Sequence, residues 1–306
     1  MTECKRGRDM KNTSVLGVPL SMINRQKLLE EIEKVIRRDR QMTVVAINAR
    51  KIVRTLHDPA MKRLLMGLDV FLADGSSVVK AADSMVERIT GIDLMEDICR
   101  CSEKIGAKIF FYGASEENNL GAQKRLKKLY PGIKVAGYCN GYDDKDVMQK
   151  IRKSRANVVF VAKGTPLQEQ WIMKYGKDTG ACVLMGVGGA FDVFAGQVNR
   201  APGFIQNIGL EWLYRMIREP KRFKQIPELL EFRRLAKKRK KAGISKDKWR
   251  QHMQSREITV VGLGYIGLPT AVVTADAGHH VKGFDAKKEV CESLSAGKIH
   301  IVENHL

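Results

Sequence analysis

The chain has 306 residues, of which 44% are hydrophobic and 29% charged, a composition that supports one or two buried cores and excludes a disordered polypeptide. Its longest apolar runs are only as long as strands, so we expect no transmembrane helix. Residues 1–12 lack the apolar stretch of a cleaved signal peptide, which favours a cytosolic location. The six cysteines and six histidines follow no disulfide or metal-binding spacing, so we expect reduced thiols and no metal site.

The formal net charge of +20 is concentrated in one zone. Residues 215–250 hold fifteen Lys and Arg against four Asp and Glu, whereas residues 256–306 hold five against six. Apolar side chains recur through the basic zone at helical spacing, which predicts amphipathic helices. Such helices suit an anionic membrane surface, but nucleic acid would satisfy the same charges, and a solvated helix face would need no partner. Composition alone leaves these three alternatives open.

Predicted helices and strands alternate through the first 185 residues. The hydrophobic pattern predicts helices at residues 25–38 and 49–65, with strands at 43–47 and 69–73. A further helix follows residues 74–77. Later strands are predicted at residues 108–112, 133–136, 157–162 and 181–185, and later helices at 116–129, 145–153 and 166–177. This alternation predicts an α/β fold with a doubly wound, mostly parallel, Rossmann-like sheet.

The residues directly after each predicted strand are candidates for function, because ligands bind at the carboxyl ends of parallel strands. Asn48, Asp74 and Gly113 follow the first three strands. Glycine-containing turns at residues 164–166 and 186–189 follow the last two. Glycine turns at helix starts present backbone N–H groups to anions. Several of them at one edge of the sheet favour a nucleotide-type ligand over simple tight turns.

Two acidic motifs have chemical interpretations. Asp74 is a candidate general base, although its position before a helix is explained more often by N-capping. Asp144 and Asp146 form the DxD pattern with which many glycosyltransferases hold a divalent cation on a nucleotide-sugar. This pattern also precedes a helix, where capping and the helix dipole account for acidic residues. We therefore assign it no metal.

A series of motifs follows in a fixed order along the first 222 residues. They are Leu-Ala-Asp-Gly at 72–75, Glu-Arg-Ile-Thr-Gly-Ile-Asp-Leu at 87–94, Gly-Thr-Pro-Leu-Gln-Glu-Gln-Trp at 164–171, Gly-Val-Gly-Gly-Ala-Phe-Asp at 186–192, Arg-Ala-Pro at 200–202, Gly-Leu-Glu-Trp-Leu-Tyr-Arg at 209–215 and Glu-Pro-Lys-Arg at 219–222. Over residues 15–235 the chain resembles the WecG/TagA/CpsF family of bacterial glycosyltransferases.

The resemblance implies transfer of an N-acetylmannosamine-type sugar, either N-acetylmannosamine or its uronic acid, with inversion at the anomeric carbon. The donor would be a UDP-sugar and the acceptor N-acetylglucosamine on a polyprenyl diphosphate. Family members serve wall teichoic acid, enterobacterial common antigen or capsule synthesis, so a peripheral location on the inner face of the plasma membrane is expected. Other enzymes of envelope polysaccharide synthesis are further candidate partners. The resemblance implies no cofactor for the transfer and no nucleic acid partner.

The resemblance also assigns roles to residues. Asp74 matches the family's proposed catalytic base. Arg215 and Arg222 match arginines of a carboxy-terminal appendage that are thought to fold over the site and stabilise the leaving diphosphate. The donor pocket would be lined by Asn48, Gly113, Gln168, Glu169, Gly188 and Asp192.

The chain departs from the family pattern at two positions near these motifs. Ala46 stands where family members usually carry Thr, two residues before Asn48. Leu167 replaces the usual basic residue before Gln168. Both changes bear on which donor is used and how fast it reacts.

The last fifty residues carry a glycine fingerprint. A predicted strand at 258–261 leads into Gly262, Gly264 and Gly267, and Asp285 follows a second strand at 281–284. In this GxGxxG pattern the glycines approach a dinucleotide and the acidic residue binds a ribose hydroxyl. The segment resembles the start of the UDP-glucose/UDP-N-acetylmannosamine dehydrogenase family. We interpret it as a truncated fusion with a vestigial NAD-type fingerprint and no dehydrogenase activity of its own.

These observations predict three parts. Residues 13–202 form the α/β glycosyltransferase core, residues 203–250 a basic amphipathic helical appendage, and residues 256–306 a truncated β-α-β unit of a second Rossmann fold. A neighbouring dehydrogenase would favour the uronic acid as donor sugar. The alternatives to a transferase are an NAD-dependent UDP-sugar dehydrogenase fragment and a basic nucleic-acid-binding protein.

Overall fold

The computed structural model describes residues 10–142, 146–198, 225–241, 257–264, 267–276 and 280–296. The chain divides into two compact units, Met1–Ala242 and Gly243–Leu306.

The first unit opens with an antiparallel hairpin of β1 (Asn12–Val15) and β2 (Val18–Ser21). Its two turn residues, Leu16 and Gly17, have φ angles of 50° and 81°. Two consecutive positive φ angles are typical of a type I′ turn, whose twist matches that of the flanking strands. The hydroxyl of Ser21 accepts a 3.0 Å hydrogen bond from the N–H of Phe71, which attaches the hairpin to the main sheet. The hydrophobic pattern does not predict this hairpin.

The rest of the unit alternates helices and strands. In chain order they are α1 (Arg25–Arg37), β3 (Met42–Ile47), α2 (Ala49–His57), α3 (Pro59–Met66), β4 (Val70–Ala73), α4 (Ser76–Ala81), α5 (Gly91–Ile105), β5 (Lys108–Gly113), α6 (Glu116–Leu129), β6 (Lys134–Cys139), α7 (Val147–Ser154), β7 (Val158–Ala162), α8 (Leu167–Tyr175), β8 (Val183–Gly186), α9 (Ala190–Phe194) and α10 (Ile226–Lys241). A 3-10 turn at Gly176–Thr179 connects α8 to β8.

Six of these strands form one parallel sheet in the order β4-β3-β8-β7-β5-β6. The register pairs Ile47 with Ala73 and Val161 with Gly186. Because every neighbouring pair is parallel, all six carboxyl ends lie at the same edge. The predicted doubly wound, mostly parallel sheet is confirmed.

Helices cover both faces of the sheet because alternate strand residues point to opposite sides. In β3, Val45 and Ile47 join one hydrophobic cluster, whereas Met42 and Val44 join the other. The first cluster includes side chains from α2, α3, α7, α8 and α10, and the second includes side chains from α1, α5, α6 and α9. The helix after β8 therefore packs on the opposite face from the helices after its neighbours β3 and β7. Such a change of side opens a crevice at the carboxyl edge.

Two helices differ from the sequence prediction. The stretch predicted at 49–65 is two helices, because Asp58 ends α2 and its Oδ1 caps α3 by accepting hydrogen bonds from the N–H groups of Ala60 (2.8 Å) and Met61 (3.2 Å). The α5 helix is absent from the prediction, although its side chains Leu94 and Ile98 are fully buried.

The second unit is a β-α-β-α segment. Strands Glu257–Val261 and His280–Phe284 pair in parallel, helix Gly267–Asp276 connects them, and helix Lys288–Ser295 follows. The strands and the intervening helix agree with the predicted β-α-β pattern.

Candidate active site

Asn48 follows β3 at the carboxyl edge of the sheet and is half-buried. Its side-chain Oδ1 accepts a 2.9 Å hydrogen bond from the N–H of Lys51, so that Asn48 is the N-cap of α2. The amide of Asn48 is thereby held at the end of the strand by a local interaction that Ala could not make. The N-terminus of α2 opens at the same place, where backbone N–H groups favour negative charge.

Asp74 follows β4, the neighbour of β3, and is also half-buried. Its N–H donates to the carbonyl oxygen of Ile47 at 3.0 Å, which brings it level with Asn48. The alternative interpretation of Asp74 as the N-cap residue is wrong. Gly75, with φ of 139°, is the N-cap residue of α4 and has no side chain with which to cap it. The glycine turn starts the helix one residue later, and it leaves the carboxylate of Asp74 outside the capping position.

Arg88 was not predicted as a functional residue, yet the structure places it beside the base candidate. It forms an isolated parallel bridge with Ala73, and the N–H of Ile89 donates to the carbonyl oxygen of Ala73 at 3.2 Å. The segment that contains Arg88 therefore runs along the outer side of the end of β4. Arg88 belongs to the motif at 87–94, but the spacing of that motif does not show that Arg88 lies next to the end of β4.

Gln168 and Gly188 connect the turns that follow β7 and β8. The Oε1 of Gln168 accepts a 2.9 Å hydrogen bond from the N–H of Gly188. Gly186 permits this contact, since a Cβ there would lie 2.7 Å from Nε2 of Gln168. The N–H of Gly188 thus donates a hydrogen bond within the protein. From the sequence we expected the N–H groups of this turn to face an anion.

Glu169 follows Gln168 in α8 and is fully buried. Its Oε1 accepts hydrogen bonds from Lys51 Nζ (2.7 Å) and Gln168 Nε2 (2.9 Å). The hydroxyl of Thr165 donates to the same oxygen at 3.3 Å. Lys51 is the second residue that sequence reasoning missed, because it is separated from Glu169 by 118 positions.

Gly113 and Asp192 lie around the end of β5. Gly113 has φ of 113°, and a Cβ there would lie 2.4 Å from the carbonyl oxygen of Ala162. Glycine is therefore required for β5 to pass its neighbour β7. Asp192, in α9, accepts a 2.6 Å hydrogen bond from Nδ2 of Asn118 in α6.

Four residues of the predicted site and the DxD pattern lie outside the described ranges. They are Asp144, Lys145, Arg215 and Arg222. Asp146 occupies the N-cap position of α7, but it has φ of 58° and its side chain makes no capping hydrogen bond. The predicted capping role of Asp146 is therefore wrong, because the left-handed backbone differs from the extended conformation that N-capping needs.

The described part of the basic zone is helix α10, which packs against α2. Leu229, Phe232 and Leu235 pack against the core on one side of the helix. Glu228 accepts hydrogen bonds from Nε of Arg50 (2.6 Å) and Nε of Arg54 (2.9 Å). Burial acts to raise the pKa of Glu228, but the two guanidinium groups outweigh burial and lower it.

The opposite side of α10 is exposed and basic. It presents Leu230, Arg233, Arg234, Lys237 and Lys238, with Leu230 57% exposed. These positions recur at the spacing of one helical face. We call them the basic face of α10.

The fingerprint of the second unit has a compact loop. Gly262 has φ of 85°, and a Cβ on Gly267 would lie 1.6 Å from the carbonyl oxygen of Gly262. These glycines fit the close strand-to-helix turn of a dinucleotide site, and a Cβ on Gly264 would meet open space. Asp285 accepts hydrogen bonds from the N–H groups of Leu263 (2.7 Å) and Lys287 (2.9 Å).

The described ranges lack two features, a metal-binding cluster and a membrane-spanning helix. Within those ranges no group of three or more His, Cys, Asp and Glu side chains is placed to hold a metal ion. Of the helices described, none is both long enough and apolar enough to span a bilayer.

A parallel sheet with a carboxylate, amide side chains and glycine turns gathered at its carboxyl edge defines an α/β enzyme of the nucleotide-binding type. Residues 13–245 match the sequence profile of the glycosyl transferase WecG/TagA/CpsF family, and the chain belongs to that family. It is accordingly a glycosyltransferase. Residues 256–306 match the NAD binding domain of the UDP-glucose/GDP-mannose dehydrogenase family, which supports a fused dehydrogenase-like segment.

One characterised relative is similar over most of its length. The chain is 35% identical over 189 residues to the N-acetylglucosaminyldiphosphoundecaprenol N-acetyl-beta-D-mannosaminyltransferase of Bacillus spizizenii. The aligned region covers 60% of this chain and 74% of that protein.

Proposed function

We propose that the chain transfers an N-acetylmannosamine-type sugar from UDP to N-acetylglucosamine on a polyprenyl diphosphate, with inversion at the anomeric carbon. The name of the Bacillus spizizenii relative supports both the sugar and the acceptor. The structural observation that carries the proposal is the position of Asp74. Its carboxylate is half-buried at the end of a parallel strand and level with Asn48, and the N-cap residue of the following helix is Gly75 instead.

Asp74 is the proposed general base. Its carboxylate takes the proton of the acceptor hydroxyl while the hydroxyl oxygen forms a bond to the anomeric carbon. The bond between that carbon and the diphosphate oxygen breaks, and its electron pair leaves with UDP. A positioned base of this kind contributes about 100- to 10,000-fold to the rate.

The donor would bind over the turns that follow the central strands. Asn48, Gly113, Gln168, Glu169, Gly188 and Asp192 remain the proposed lining or supporting residues of this pocket. Arg215 and Arg222 are proposed to neutralise the charge that develops on the leaving diphosphate, a role for which planar guanidinium groups are suited.

The acceptor is lipid-linked, so the enzyme would work at the inner surface of the plasma membrane. The basic face of α10 supports this location, because Lys and Arg side chains near anionic lipid each contribute about 1 kcal/mol to binding. Leu230, exposed on the same face, would enter the headgroup boundary. Peripheral association thereby brings the site to its acceptor.

The choice between the neutral sugar and its uronic acid is a separate part of the proposal. The dehydrogenase-like segment at 256–306 favours the uronic acid, since a neighbouring dehydrogenase that oxidises UDP-N-acetylmannosamine would supply that donor. In a complete dehydrogenase, bound NAD would accept the hydride of such an oxidation. In this chain Gly262, Gly264 and Gly267 would approach its diphosphate.

The decisive experiment incubates the full chain with a short-chain polyprenyl-diphosphate N-acetylglucosamine and either UDP-N-acetylmannosamine or UDP-N-acetylmannosaminuronic acid. Mass spectrometry is expected to find the acceptor extended by one sugar, with acceptor-dependent UDP release. The mass of the added sugar identifies the donor. Failure of both donors to extend the acceptor, with the protein folded and vesicles present, would refute the proposal.

A further inference from the structure

Lys51 and Glu169 form an ion pair that is sealed from solvent. Their side chains are only 4% and 1% exposed, and Nζ of Lys51 lies 2.7 Å from Oε1 of Glu169. The pair joins the first turn of α2 to the first turn of α8. Because both groups are buried, we expect neither to contact a bound donor directly. Their influence on a bound donor must pass through the residues that they hold.

The pair is the centre of a network that joins three turns at the carboxyl edge. Besides its side-chain contact, Lys51 donates its backbone N–H to Asn48 after β3. Glu169 Oε1 also accepts from Thr165 in the turn after β7 and from Gln168 Nε2. Gln168 in turn accepts from the N–H of Gly188 in the turn after β8.

The chemistry of this network allows only one orientation of the Gln168 amide. A carboxylate only accepts hydrogen bonds, so Gln168 must turn its NH2 group toward Glu169. A backbone N–H only donates, so the carbonyl oxygen of Gln168 must face Gly188. Removal of the acceptor at position 169 would free the amide to rotate. The N–H of Gly188 would then lose its fixed partner.

We propose that Glu169 is a positioning residue, that it fixes the Gln168 amide and through it the turn at Gly188, and that Lys51 neutralises the buried carboxylate. The inference deepens the proposed function, because it assumes that the donor binds over this turn. It assigns Glu169 a supporting role rather than contact with the donor.

Two double variants separate positioning from stability. Lys51→Met/Glu169→Met replaces the pair with apolar side chains of similar volume, a change that buried ion pairs often tolerate in stability. Lys51→Met/Glu169→Gln also removes both charges but keeps an acceptor oxygen for Gln168. Oε2 of Glu169 is buried and has no hydrogen-bond partner within the described ranges. Replacing this oxygen with the amide NH2 of Gln therefore breaks no hydrogen bond.

The experiment measures thermal unfolding, amide hydrogen exchange at Gly188, and kcat and KM for the UDP-sugar in each full-length variant. We expect both doubles to fold, with faster Gly188 exchange only in Lys51→Met/Glu169→Met. In that variant kcat/KM should fall about 10- to 100-fold, whereas the Gln-containing double should lose less activity because it keeps an acceptor for Gln168. An exposed pair on α1, Glu33 and Arg37, provides the control as Glu33→Gln/Arg37→Met.

The readouts distinguish the two proposals. Equal Gly188 exchange in the two doubles would overturn the positioning role, whatever the activity. Different exchange in the doubles, combined with no turnover of UDP-sugars by the wild-type chain, would support the positioning role and refute the proposed function.

Discussion

The N–H of Asp74 donates to the carbonyl oxygen of Ile47 at 3.0 Å, across the two strands β4 and β3. This bond continues the ladder that pairs Ile47 with Ala73 by one residue beyond β4. It fixes the backbone of the proposed base relative to the residue before Asn48. The turn residue that carries the carboxylate is therefore tied directly to the sheet, as precise catalytic positioning requires.

Replacement of Asp74 by Asn should abolish most of the transfer without unfolding the protein. Asn keeps the shape of the side chain but cannot accept a proton from the acceptor hydroxyl, so UDP release should fall about 100- to 10,000-fold. Asp178→Asn, at an exposed carboxylate in the connection between α8 and β8, is the control. An Asp74→Asn enzyme with the wild-type rate would remove this residue from the mechanism.

Asn48 has a capping role that can be separated from any role toward the donor. Asn48→Ala removes the acceptor for the Lys51 N–H and should destabilise the protein by about 1 kcal/mol, read from chemical unfolding. Asn48→Ser keeps a capping oxygen and should recover most of that stability. If Asn48 also binds the donor, the Ser variant should be stable but impaired in KM. Wild-type kinetics in Asn48→Ser would limit Asn48 to capping.

Gly113 should tolerate no side chain. In Gly113→Ala the new Cβ would meet the Ala162 carbonyl at 2.4 Å, and the backbone φ of 113° is unfavourable for Ala. The expected loss is about 2 to 5 kcal/mol of unfolding free energy. Gly164→Ala, where φ is 71° and nothing lies within 4 Å, should cost only about 1 to 2 kcal/mol. Equal losses would argue against the steric explanation.

Docking of α10 should weaken in acid. The folded state lowers the pKa of Glu228 below its ordinary value of 4.5, so its contribution to stability is present above that value and is lost as the pH falls through the folded pKa. The protection factor of the Phe232 amide, which is the intrinsic exchange rate divided by the observed rate, should therefore fall below about pH 4.5. Glu228→Gln should exchange faster at neutral pH and lose this pH dependence. A Gln variant with an unchanged acid transition would assign that transition to another group.

The basic face of α10 should bind anionic vesicles. Lys237→Gln/Lys238→Gln removes two exposed charges, so vesicle affinity should fall about 30-fold at about 1 kcal/mol per charge. Lys127→Gln/Lys128→Gln removes a similar exposed pair from α6 and should change affinity little. Equal losses in both doubles would indicate a response to net charge alone. Stronger binding to RNA than to vesicles would favour the nucleic acid alternative.

The sheet was predictable because its strands are buried apolar runs between amphipathic helices. Helix α6 has its predicted bounds. In five of the six parallel strands, both the first and the last residue lie within two residues of the predicted position. The hairpin β1–β2 was missed because four-residue strands around a turn carry little periodic signal. Helix α5 is absent from the prediction although it is readable from the sequence, since the buried residues Leu94, Met95, Ile98 and Cys99 recur at helical spacing.

Residues of the candidate site were predictable only where they directly follow a predicted strand. Asp74 and Asn48 were identified because each directly follows a strand. Lys51 was not, since its pairing with Glu169 depends on how α2 packs against α8. The basic zone gives a similar lesson. Its sequence predicts an amphipathic helix, but only packing decides that Leu229 is covered while Leu230 is exposed.

Helix α2 takes part in two sets of contacts. Lys51 contacts Glu169 beneath the proposed donor turns, while Arg50 and Arg54, on the same nine-residue helix, contact Glu228 of α10. A rigid helix cannot shift toward one partner without changing its contact with the other. Adsorption of α10 to lipid and occupancy of the donor turns should therefore be reciprocally coupled, each strengthening or weakening the other by the same factor.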